Sequence, residues 1–149
     1  MKSLIFVCLG NICRSPLAEG VARRIATERG IEVEIDSAGT GNWHVGEAPC
    51  DNSVRVARKN GIDISAQRAR QVTAADLARF DLVIALDGKN YEDLSRMGAK
   101  QLVKLGSFGC NNEDVPDPYF FPGYEGFDKV FSMVESCVGE LFATHFPEN

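Results

Sequence analysis

Two nearly unbroken apolar runs, Leu4–Leu9 and Leu82–Leu86, stand out from a chain that elsewhere mixes hydrophobic and polar positions. Neither alternates, so both read as parallel strands covered on their two faces rather than strands with one wet side. Shorter runs at Val33–Ile35 and Leu102–Leu105 supply a second and a fourth strand. The segments between carry helical spacing and helical punctuation. Ser15-Pro16 is a start signal, Ser as N-cap and Pro at the first helical position, and Gly30 stops that helix after Arg29. Further helices are expected over Asp51–Asn60 before Gly61, from a Thr73 cap through Arg79, and over Asn90–Met97 before Gly98. The longest, Phe127–His145, lines up Phe127, Val130, Phe131, Val134, Val138 and Leu141 on one stripe.

Strands alternating with helices imply right-handed crossovers and a doubly wound α/β fold. The expected architecture is a four-stranded parallel sheet, order 2-1-3-4, with helices on both faces. No linker or repeat interrupts residues 1–149, which read as one domain. The long Gly106–Gly126 loop, rich in Gly, Pro, Asp and aromatics, is the exception, and loops of that length are often functional.

Composition narrows the classes. With 149 residues, 44% hydrophobic and 25% charged, the chain is of ordinary globular size and make-up. The first apolar run is far shorter than the roughly 20 residues a bilayer requires. It is also too short for a signal peptide, being broken by Asn11 and Arg14, so a cytoplasmic location is expected. A net charge of −5 disfavours a nucleic-acid partner. Cys8, Cys13, Cys50, Cys110 and Cys137 are an odd set without a C-x-x-C pair, and His44 and His145 lack ligand spacing. Neither a disulfide framework nor a metal site is indicated, and no cofactor is expected.

The candidate chemistry lies just after the first strand, in Cys8-Leu9-Gly10-Asn11-Ile12-Cys13-Arg14-Ser15-Pro16. Ligands of open α/β sheets sit beyond the carboxyl ends of the strands. The N–H groups of a helix start carry partial positive charge and suit a phosphate dianion. Gly10 allows a tight turn that converges several N–H groups, and Arg14 can grip phosphate oxygens bidentately. The same field favours Cys8 as a thiolate nucleophile. By spacing alone Cys-x5-Arg is weak: ten arginines and five cysteines give about a one-in-three chance of a match. Its position between strand and helix makes coincidence much less plausible. Otherwise Cys8 is a small buried hydrophobe and Arg14 a surface residue.

The stretch Val7–Pro16 resembles the signature of the low-molecular-weight protein tyrosine phosphatases. Three further stretches fit in order: Asp36-Ser37-Ala38-Gly39-Thr40, Leu86-Asp87-Gly88-Lys89-Asn90 and Val115-Pro116-Asp117-Pro118-Tyr119. The resemblance covers essentially the whole chain and implies the phosphotyrosine phosphatase I-like fold. It implies that Cys8 attacks phosphorus and Arg14 holds the phosphate. Asp117 is then general acid and afterwards base, the substrates being phosphotyrosine proteins or small aryl phosphates. Leu9, Gly10, Asn11, Ile12, Cys13 and Ser15 complete the phosphate loop. Ser15 resembles the hydroxyl that eases thiolate departure, and Asn11 and Ser37 a polar pair that shapes the loop, with Asn11 in a strained conformation. Asp87 and Asn90 match a buried supporting pair, and Trp43, Tyr119 and Phe120 match the aromatic walls of a slot too deep for phosphoserine. The resemblance also implies that Cys13 can form a reversible disulfide with Cys8. A monomer or weak dimer is expected.

Three other readings compete. A thioredoxin-coupled arsenate reductase shares the loop but carries redox cysteines after the third strand, where this chain has Asp87. A protein arginine phosphatase tends to carry threonine where this chain has Ile12. A non-catalytic phosphate-binding module would not need both Cys8 and Asp117. After Tyr119 the chain also departs from mammalian members of the family, being aromatic and glycine-rich where they are shorter and more acidic.

Overall fold

The computed structural model describes residues 2–117 and 124–147. In chain order the elements are β1 (Ser3–Cys8), α1 (Arg14–Arg29), β2 (Glu34–Gly39), α2 (Asp51–Lys59) and α3 (Ala74–Arg79). Then come β3 (Leu82–Ala85), α4 (Gly88–Arg96), β4 (Leu102–Lys104), a 3-10 turn (Leu105–Ser107) and α5 (Glu125–His145). The four strands form one parallel sheet in the expected order β2-β1-β3-β4.

Strand β1 is paired on both sides and all six of its residues are buried. Its side chains alternate between two layers. Leu4, Phe6 and Cys8 join the core built with α1, α2 and α5, whereas Ile5 and Val7 meet α3 and α4. That double burial is why the run is apolar without alternation, each large side chain contributing roughly 1.5–3 kcal/mol. It also aims Cys8, the last residue of β1, towards the start of α1.

Three local readings need correction. Helix α1 begins at Arg14 with Cys13 at the N-cap position, so Ser15 is not its cap. The Ser15 hydroxyl is used elsewhere, and Pro16 falls in the first turn, where N–H groups lack a helical partner anyway. Strand β2 runs past Ile35 to Gly39, pairing Ser3–Cys8 with Glu34–Gly39. Its apolar pattern breaks at Asp36 and Ser37 because both side chains serve polar contacts. Helix α4 starts at Gly88, where Asp87 caps it by accepting from the Asn90 N–H at 2.7 Å. The Thr73 cap stands as expected, with a reciprocal bond between Asp76 and the Thr73 N–H. Gly30 ends α1 in the left-handed conformation.

Candidate active site

From Cys8 the chain reverses through residues 9–13 into α1, and three backbone bonds fix that reversal. Thr40 N–H donates to Cys8 O at 2.9 Å, Gly41 N–H to Leu9 O at 2.9 Å and Cys50 N–H to Ile12 O at 2.8 Å. Strand β2 comes so close that a Cβ on Gly39 would lie 2.6 Å from Leu9 O, so a side chain cannot fit. The left-handed residue of the turn is Asn11, φ 56°, in the strained conformation that the resemblance implies, and Gly10 does not take a positive φ. The lack of a side chain at Gly10 instead makes room for His44, whose ring a Cβ there would approach to 3.1 Å.

Asn11 holds its unusual conformation through its own amide. Its Nδ2 donates to Ser15 Oγ at 2.8 Å and to Ser37 Oγ at 3.0 Å, and its Oδ1 accepts from the Arg70 N–H at 3.0 Å. Ser37 in turn donates to the buried Glu19 carboxylate at 2.7 Å, which Arg23 Nε also holds at 2.9 Å. The chain of bonds leads to Cys8. Ser15 Oγ accepts from Asn11 and lies within hydrogen-bond distance of Cys8 Sγ, 3.0 Å away. Asn11 N–H donates to the same sulfur at 3.3 Å. Cys8 is only 3% exposed.

Arg14 is also buried, and its Nη1 is anchored by Asp87 Oδ2 at 2.7 Å and Val115 O at 3.0 Å. Burial opposes the charge, but Cys8, Asp87 and Asp117 outweigh it and hold the guanidinium above its ordinary pKa. Asp117 Oδ2 stands 4.0 Å from Arg14 Nη2. The stretch carrying it is tied to the sheet where Val115 N–H donates to Leu86 O at 2.9 Å.

These residues surround one cavity of about 260 Å³. Cys8, Leu9, Gly10, Ile12, Cys13 and Arg14 line its floor, with Trp43 and His44 to one side and Asp117 to another. Trp43 is 69% exposed and borders the cavity, so it is not a core residue. A larger cleft of about 590 Å³ beside Glu19 and Arg23 includes no cysteine, so size alone does not locate the chemistry. Tyr119 and Phe120 lie outside the described residues. Among the described residues, no cluster of His, Cys, Asp or Glu could hold a metal ion, and no helix is long and apolar enough to cross a membrane.

Reading residues one at a time misses Glu19, Arg70, His44 and the Val115 carbonyl. Glu19 lies one helical turn after Ser15, an acidic residue in the continuously buried first half of α1, and that was a usable signal. The others arrive by tertiary approach and leave none.

The family model described as low molecular weight phosphotyrosine protein phosphatase matches residues 3–148. The low molecular weight protein-tyrosine-phosphatase YfkJ of Bacillus subtilis is 37% identical, over 97% of this chain and 96% of its own. Its crystal structure superposes with a TM-score of 0.88, covering 97% of this chain and 94% of that one. The low molecular weight phosphotyrosine protein phosphatase of Sus scrofa is 35% identical, over 91% and 90% of the two chains. A Drosophila arginine phosphatase, 27% identical, superposes over the whole of both chains with a TM-score of 0.90. With fold, loop and extended identity in agreement, this chain belongs to the low molecular weight phosphotyrosine protein phosphatase family.

Proposed function

We propose that the chain hydrolyses phosphotyrosine and small aryl phosphates through a phosphocysteine at Cys8. The observation that carries this reading is the convergence of Cys8, Arg14 and Asp117 on one small cavity. The phosphate rests on the loop N–H groups and on the guanidinium donors not held by Asp87 and Val115. Cys8 thiolate attacks phosphorus as the bond to the phenol oxygen breaks. A phenol has a pKa near 10, so Asp117 delivers its proton to that oxygen as it leaves, a contribution of roughly 10²–10⁴-fold. Asp117, now a carboxylate, takes a proton from water, the hydroxyl attacks phosphorus, and the sulfur departs as thiolate towards the Ser15 hydroxyl. Inorganic phosphate is released. Trp43 walls the aryl ring.

The relatives named as tyrosine phosphatases support the aryl substrate, as does the apolar Ile12, which offers no hydroxyl to a guanidinium nitrogen. All five cysteines are free thiols, which supports work in the reducing cytoplasm. The test is turnover of a phosphotyrosine peptide, with EDTA present, by wild type, Cys8→Ser and Asp117→Ala. Abolition by the first change, and a loss of at least about a hundredfold by the second, is expected. Turnover confined to phosphoarginine would move the substrate while keeping the mechanism; no turnover of either would end the proposal.

A further inference from the structure

Behind the phosphate loop the N-terminal ends of α1 and α2 meet, and each cap position is a cysteine, Cys13 and Cys50. The two are stitched together twice through the backbone. Cys50 N–H donates to the carbonyl of Ile12, next to Cys13, at 2.8 Å. Ser53, in the first turn of α2, donates its hydroxyl to Cys13 O at 3.0 Å and touches Cys50 Sγ at 3.1 Å. The Ser53 hydroxyl thus bridges the two residues, both cysteines are partly exposed, and Cys13 also lines the cavity that holds Cys8.

We propose that Cys13 and Cys50 form a reversible disulfide when the protein meets a peroxide, and that Cys50 thereby releases Cys8 from any disulfide with Cys13. The pair is asymmetric in the right sense. The influence of neighbouring Cys13 outweighs burial and lowers the Cys50 thiol to about 6, whereas that of Cys50, together with burial, pushes Cys13 upwards. Cys50 is therefore the more readily deprotonated thiol of the two, and the one placed to attack.

The electrons balance along two routes. In the direct one, Cys50 thiolate attacks a peroxide oxygen, the O–O bond breaks, and an alkoxide or hydroxide leaves and takes a proton. Cys13 sulfur then attacks the Cys50 sulfenic sulfur, and hydroxide departs with the Cys13 proton as water. Two thiols are oxidised by two electrons and one peroxide is reduced. In the exchange route, a Cys8–Cys13 disulfide already made by peroxide is attacked at the Cys13 sulfur by Cys50. Cys8 leaves as thiolate, and no further oxidant is consumed.

The deciding experiment needs no enzymatic activity. Cys8→Ser protein is treated with hydrogen peroxide, alkylated, digested with trypsin and analysed by mass spectrometry. Fragment 3–14, carrying Cys13, is expected joined to fragment 30–55, carrying Cys50. The link disappears with dithiothreitol and in the Cys8→Ser/Cys50→Ser protein. Absence of the link in Cys8→Ser overturns the proposal.

A second measurement tests the release of Cys8 and rests on the phosphatase reading above. Cys50→Ser keeps basal turnover within about twofold of wild type, since Ser is a good helix cap. After peroxide and then catalase, wild type regains activity without added thiol. Cys50→Ser stays at least about fivefold lower until dithiothreitol is added. Equal recovery of the two proteins overturns the exchange. Should the phosphatase reading fail, the linked fragments still decide whether the disulfide forms.

Discussion

The Asp87 carboxylate serves two masters at once: one oxygen lies 2.7 Å from Arg14 Nη1, and the other accepts the Asn90 N–H at 2.7 Å. The helix cap of α4 and the alignment of the Arg14 guanidinium therefore depend on one side chain. Replacing Asp87 with Asn keeps an acceptor for one partner but removes the charge that balances a buried arginine. We expect kcat/KM on an aryl phosphate to fall about 10–100-fold, with weaker inhibition by inorganic phosphate. Unfolding in urea should show a loss of about 1–3 kcal/mol. Unchanged phosphate inhibition would mean that Asp87 only caps the helix.

At Asn11, backbone shape and side-chain bonding can be separated. Asn11→Gly keeps the left-handed turn but loses the three amide bonds, whereas Asn11→Ala loses both. Both variants should lose at least about tenfold in kcat. The alanine protein should be less stable than the glycine one by about 1 kcal/mol, because only alanine strains the turn. Equal stabilities in a urea titration would contradict the strain argument.

Gly39 offers a packing test away from the reacting atoms. An added Cβ would press on Leu9 O at 2.6 Å and on the Asn11 nitrogen at 3.2 Å. Gly39→Ala should cost about 1–3 kcal/mol and depress turnover by displacing the loop. A fully active, fully stable Gly39→Ala protein would show that the strand can yield.

Acid should weaken the support behind Asn11. Burial raises the pKa of Asp76, but its bonds from Arg70 and Thr73 prevail and hold it below the ordinary value of 3.8. A depressed carboxylate stabilises the fold at pH above its unfolded value, and that contribution disappears as pH falls through the lower, folded value. Wild type should therefore lose stability steeply below about pH 4, and Asp76→Asn should lose less over the same interval. Denaturant titrations at neutral pH and near pH 3 measure the difference; parallel losses would count against Asp76.

Much of this molecule is legible one residue at a time. Leu4–Leu9 and Leu82–Leu86 announce buried parallel strands because burial on both faces leaves no polar position. Thr73, Gly30 and Gly98 punctuate helices by local chemistry alone. The cysteine, arginine and aspartate of the site follow from the loop's position and from the family resemblance. What sequence hides is approach. Ser15 looks like a cap because nothing local tells it apart from one, yet its hydroxyl belongs to Cys8 and Asn11. The resemblance implies a strained Asn11, but not that a bond from Arg70 joins the two to serines in holding it. The end of β2 looks too polar for a strand because its side chains support a loop contributed by another part of the chain.

The bonds that shape Asn11 reach Ser15 in α1, Ser37 in β2 and Arg70 far downstream. The loop from Cys8 to Arg14 is thus short in the chain but late in assembly. It cannot take its working shape until the β1–β2 crossover has closed and the segment at Arg70 has returned to the edge of β2, both long-range events in a parallel sheet. A half-folded chain would carry the cysteine without the cradle around it. Competence to handle phosphate is in this sense a report that the whole sheet has been built.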